Sequence, residues 1–96
     1  RLRDDRVIFS RPYRRDRIFY YETIVDAKRT EDSAAGYGWL TILHRKNQDK
    51  PFPANLKEAK RDGATICYNL IESDGYLYAQ NLLQVIIEEN TKAGII

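Results

Sequence analysis

The chain has 96 residues, 43% of them hydrophobic, with 16 Lys and Arg against 14 Asp and Glu for a net charge of +2. That size supports one hydrophobic core, so a single domain over residues 1–96 is expected, and the composition excludes a chain that stays disordered. No apolar run approaches the roughly 18 residues of a membrane span, so no membrane partner is expected.

Charge is spread unevenly. Residues 1–17 carry seven Arg against three Asp, residues 18–61 eight basic against six acidic groups, and residues 62–96 one Lys against five acidic groups. The chain runs from basic to acidic. It holds one cysteine, Cys67, which has no partner for an internal disulfide. A small secreted domain usually leans on several disulfides, so an intracellular setting, cytoplasmic or nuclear, is expected. Methionine is missing even at position 1; the expectation is a domain cut from a longer chain.

In chain order, the run Val7-Ile8-Phe9 is short and flanked by arginines, and Pro12 interrupts whatever follows. Residues 1–16 read as a basic arm or an edge strand. Residues 17–28 are rich in aromatic and β-branched side chains and read as a strand. Its partner is predicted over residues 37–45 around Trp39-Leu40-Thr41-Ile42-Leu43, joined by a small polar connection over residues 30–36. Gly36 and Gly38 supply positive φ beside Tyr37. Tyr37 and Trp39 are either a contact point near the loop tip or a cap on the core.

After Pro51-Phe52-Pro53, Asn55 and Glu58 match a capping box, and a short helix should run from there to Gly63 with Leu56 and Ala59 as its buried positions. Residues 64–72 alternate as a strand that places Ile66, Tyr68 and Leu70 on one face. Asp74-Gly75 then predicts a tight hairpin with a returning strand over residues 76–80. Asn81 and Gln84 match a second capping box for a core helix with a broad apolar stripe, ended by Gly94. The rival reading is one continuous helix over residues 75–91 with Asp74 at its cap. Either way the class is α+β: a mostly antiparallel sheet of four to five strands, a short helix, and a C-terminal core helix packed on one face.

Few residues point to chemistry. Cys67 and His44 are the only residues of their kind, so neither a zinc cluster nor an oriented Cys/His triad can be assembled, and no metal or cofactor is expected. Cys67 in an apolar run reads as a small hydrophobe, and His44 as an exposed residue beside Arg45 and Lys46. Asp16, Asp26 and Lys28 only loosely echo the carboxylate and lysine order of metal-dependent nucleases. No glycine spacing cradles a phosphate. The domain is therefore expected not to be an enzyme.

The arginine-rich first third with interleaved aromatics is the remaining candidate. Arg11, Arg14, Arg15 and Arg17 suit phosphates, and Tyr13, Tyr20 and Tyr21 suit stacking on unpaired bases. Lys57, Lys60 and Arg61 share a helix face that would extend the same positive surface. The expected function is a non-catalytic domain that binds RNA or DNA. The alternative is a protein-interaction domain of a larger assembly, in which the same arm or an exposed sheet edge docks on a partner.

Overall fold

Two antiparallel sheets and two helices form the α+β fold in this computed structural model, which describes residues 2–10, 15–45 and 49–94. The first sheet is a two-stranded hairpin, β1 (Arg6–Phe9) with β2 (Arg17–Tyr20). Val7 registers opposite Phe19 and Ile8 opposite Ile18. Because side chains alternate along a strand, Val7, Phe9 and Phe19 turn to the core, and Arg6, Ile8, Ile18 and Tyr20 share the opposite face. The Phe9 and Phe19 rings meet edge to face at 5.4 Å.

The strand expected over residues 17–28 is divided. A 3-10 turn (Tyr21–Thr23) separates β2 from β3 (Ile24–Asp32), so β2 joins the N-terminal hairpin and only β3 joins the second sheet. Local hydrogen bonds make the corner. The Thr23 hydroxyl donates to the Tyr20 carbonyl at 2.8 Å, and Tyr21 N–H donates to the Asp5 carbonyl at 3.0 Å. Periodicity is blind to such a corner, because aromatic and β-branched residues continue straight through it.

The second sheet has the order β3-β4-β5, with β4 (Tyr37–His44) at its centre and β5 (Thr65–Asn69) at one edge. β4 is buried from Gly38 to Leu43, as a strand covered on both faces should be. Trp39 belongs to this core, whereas Tyr37 stays exposed. β3 runs on to Asp32, further than expected, because the Asp32 carboxylate accepts from the N–H groups of Ala34 and Ala35 and closes a tight turn. Gly36 has the positive φ, 76°, that ends this turn, and Gly94 the same beyond the last helix.

Helix α1 (Leu56–Arg61) starts at the expected cap: the Asn55 side chain accepts from Glu58 N–H at 2.9 Å. The Glu58 carboxylate reaches back to Ala54 N–H. Ala59 is buried and Leu56 only partly so. Contrary to expectation, Gly63 does not end the helix through positive φ. The chain leaves it at Asp62 in an extended conformation.

The largest correction concerns residues 73–92. No hairpin forms at Asp74-Gly75, no strand follows, and Asn81 caps nothing; α2 (Ser73–Lys92) is one helix. Its inner face explains why: Tyr76, Ala79, Leu83, Ile86 and Ile87 recur at helical spacing and all pack on the core, with Leu83 fully buried. A strand over residues 76–80 would break that face. β5 ends at Asn69, whose side chain accepts from Ile71 N–H and opens a 3-10 turn (Leu70–Glu72) into α2.

Two layers therefore enclose the three-stranded sheet. On one face α2 and the hairpin pack beside each other, and their core residues meet Ile24, Ala27, Leu40 and Ile42. On the other lie α1 and the strap before it, where the Lys28 ammonium sits 5.6 Å from the centre of the Phe52 ring. Each large apolar side chain buried between these layers stabilises the fold by about 1.5–3 kcal/mol. No helix among the described residues is long and apolar enough to cross a membrane.

Candidate nucleic-acid interface

Of the arginine-rich arm, Arg11, Tyr13 and Arg14 lie outside the described residues. Arg15 and Arg17 are exposed, Arg17 at the start of β2. The Arg17 guanidinium lies 5.5 Å over the Phe19 ring and comes close to Gly63, where an added Cβ would stand 3.0 Å from its Nη1. Gly63 is two residues beyond α1, whose Lys57, Lys60 and Arg61 are all exposed. The basic residues of the arm and of the short helix are thus brought together, with Gly63 between them.

Next to Arg17 the structure opens a cleft of about 360 Å³ between β2 and the end of β4. Arg17, Ile18, Phe19, Tyr20, Thr23, His44 and Arg45 line it. No carboxylate is among them, so the cleft combines two guanidinium groups, an imidazole and a phenol with no competing negative charge. Backbone bonding shapes it: Arg45 N–H donates to the Thr23 carbonyl at 3.1 Å, which pins the end of β4 beside the corner after β2. His44 and Arg45 were not expected in the site. His44 is half-buried, its ring tilted against Phe19 at 5.5 Å. The run His44-Arg45-Lys46 at a strand end is the signal that could have found them.

The two tyrosines differ. Tyr20 is 44% exposed and borders the cleft, with the Arg6 guanidinium 4.8 Å from its ring centre. Arg6 also pairs with Asp5 at 2.8 Å, and its hydrogen bonds hold the Asp5 carboxyl below the ordinary value. Tyr21 is half-buried and its hydroxyl donates to the Arg3 carbonyl at 2.6 Å. Burial raises the Tyr21 phenol pKa. Its ring ties the N-terminal segment to the domain and is not presented as a stacking platform.

Lys50 does not add to the positive surface, because its ammonium is held by Asp62 at 2.8 Å. Asp62 is buried and also accepts from Ala64 N–H and the Thr65 hydroxyl. The Thr65 hydroxyl proton is spent there, so in the 2.7 Å contact with Thr41 it is Thr41 that donates.

The geometry weighs against the catalytic alternatives. Cys67 stands opposite Trp39, five residues along β4 from His44, which separates the two by about 17 Å at strand rise and leaves no dyad. Burial raises the Cys67 thiol pKa, with the Lys60 charge opposing more weakly. Asp26 accepts from Ala27 N–H, and among the described residues no group of three or more His, Cys, Asp or Glu could hold a metal ion. Compared with protein-family models, with curated proteins and with solved structures, the chain matches none.

Proposed function

We propose that this domain is an intracellular, non-catalytic nucleic-acid-binding module. Arg15, Arg17 and Arg45 hold phosphates, and Tyr20 stacks on an unpaired base at the mouth of the cleft. The observation that carries this reading is the cleft itself: two arginines, a histidine and an exposed tyrosine with no carboxylate in the lining. The approach of Arg17 to Gly63 adds Lys57, Lys60 and Arg61 as a track along which a backbone continues. Because the cleft is bounded by a strand edge and a turn rather than by a helix sized for the major groove, the substrate it fits is single-stranded.

The test is a fluorescence-anisotropy titration with labelled single-stranded RNA, single-stranded DNA and duplex DNA at two salt concentrations. Binding should favour the single strands and weaken with salt. Arg17→Ala and Arg45→Ala should each weaken it across sequences and reduce the salt slope by about 1. Tyr20→Ala should cost about 1–3 kcal/mol with little change in slope. No binding at low salt would sink this reading and leave a protein partner in its place.

A further inference from the structure

The outer face of α2 carries apolar side chains that nothing in the chain covers. Ile71, in the turn leading into the helix, is 91% exposed, Tyr78 66% and Val85 54%. They stand seven residues apart and so form one line along the helix surface. The exposed carboxylates of Glu72, Asp74, Glu88 and Glu89 accompany that line. The only cation on the helix, Lys92, is drawn to Glu89 at 3.9 Å. Beside α2, in the same layer, the hairpin turns a second apolar patch outward: Ile18, 46% exposed, with Tyr20 and the Arg6 guanidinium on it. This patch belongs to the end of the chain where residues 1–17 carry seven Arg against three Asp.

We infer that these two patches are the halves of one interface and that the occupant of each is a second copy of this chain. The charges select the pairing. Packing α2 on α2 would set four carboxylates against four, whereas packing the hairpin of one copy on α2 of the other sets arginines against carboxylates over matched apolar lines. Both patches face away from the sheet in one layer, so a two-fold rotation that seats the first hairpin on the partner's helix also seats the partner's hairpin on the first helix. The assembly closes at two copies.

Sedimentation velocity over a concentration series reads this directly and involves no nucleic acid, so its outcome is independent of the binding reading above. The wild-type chain should dimerise below about 1 mM, with dissociation rising with salt. Ile18→Glu and the pair Tyr78→Glu with Val85→Glu should each be monomeric. The milder Ile18→Ser and Val85→Ser should shift the midpoint at least tenfold, and circular dichroism checks that every variant is folded. Mixing the hairpin variant with the helix variant should restore a dimer, because one hairpin-on-helix contact survives in the mixed pair. A wild-type chain that stays monomeric at 1 mM, a mixture that stays monomeric, or growth beyond two copies would overturn the inference.

Discussion

The ring of Tyr68 fills the space that a side chain on Gly38 would need: a Cβ there would lie 2.7 Å from both Cζ and Oη of Tyr68. The ring cannot step aside. It is stacked on Tyr76 of α2, with centroids 4.0 Å apart and planes 7° apart, and its hydroxyl donates to Glu31 at 3.1 Å. Arg29 in turn pairs with Glu31 at 2.9 Å. Gly38→Ala should therefore destabilise the fold by about 1–3 kcal/mol, as overpacking does. Urea denaturation measures the loss, and a variant as stable as wild type would show that Tyr68 moves freely.

Asp62 should govern the acid limb of stability. Burial by itself raises its pKa. The hydrogen bonds from Lys50, Ala64 N–H and the Thr65 hydroxyl, with the Lys50 charge, together outweigh burial and hold it below the ordinary 3.8. A carboxyl with a depressed folded pKa contributes its full stability above its unfolded value and loses it as pH falls through the folded one. Thermal melts should thus show wild type losing stability below about pH 4. Asp62→Asn, which keeps the shape and removes the charge, should be about 1–3 kcal/mol less stable at pH 7 and should lose less on acidification. Parallel pH profiles for the two proteins would refute the assignment.

What the sequence disclosed follows from how local each signal is. The Asn55–Glu58 cap and the fold class depend on neighbours in the chain, and both stand in the structure. The break between β2 and β3 depends on Asn90, 66 residues beyond Ile24. Its side chain donates to the carbonyls of Tyr21 and Ile24 and holds the corner. No window of the sequence contains that contact. The basic candidates were legible as a composition, but the cleft joins residues 17–23 to His44 and Arg45, and Gly63 meets Arg17 across the domain. Tertiary packing alone decides such meetings.

Asn90 yields a prediction of its own. It is buried near the end of α2, and its amide N–H groups donate at 2.8 Å to Tyr21 O and at 3.3 Å to Ile24 O. Asn90→Asp would aim a carboxylate at two carbonyl oxygens, losing both bonds and adding repulsion. The cost at pH 7 should be about 3 kcal/mol or more, since a buried charge without a partner exceeds the usual penalty for a lost hydrogen bond. Burial and the carbonyls raise the pKa of that new carboxyl, so its folded form gains stability as pH falls and the acid can donate one hydrogen bond. Melts at pH 7 and pH 4.5 measure the recovery; a variant equally unstable at both would point to a purely steric defect.

Gly75 separates the two readings that the sequence left open over residues 73–92. In a type I′ hairpin at Asp74-Gly75 the glycine needs φ > 0, and alanine there would be strained. In the helix that forms, Gly75 has ordinary helical φ, and no atom lies within 4 Å of an added Cβ. The glycine gives up more conformational entropy on folding than alanine does, and no contact compensates for it. Gly75→Ala should therefore stabilise the domain by about 0.5–1 kcal/mol. Far-UV circular dichroism should stay helical while the urea midpoint rises. A fall in the midpoint would mean that the stretch departs from a continuous helix at this residue.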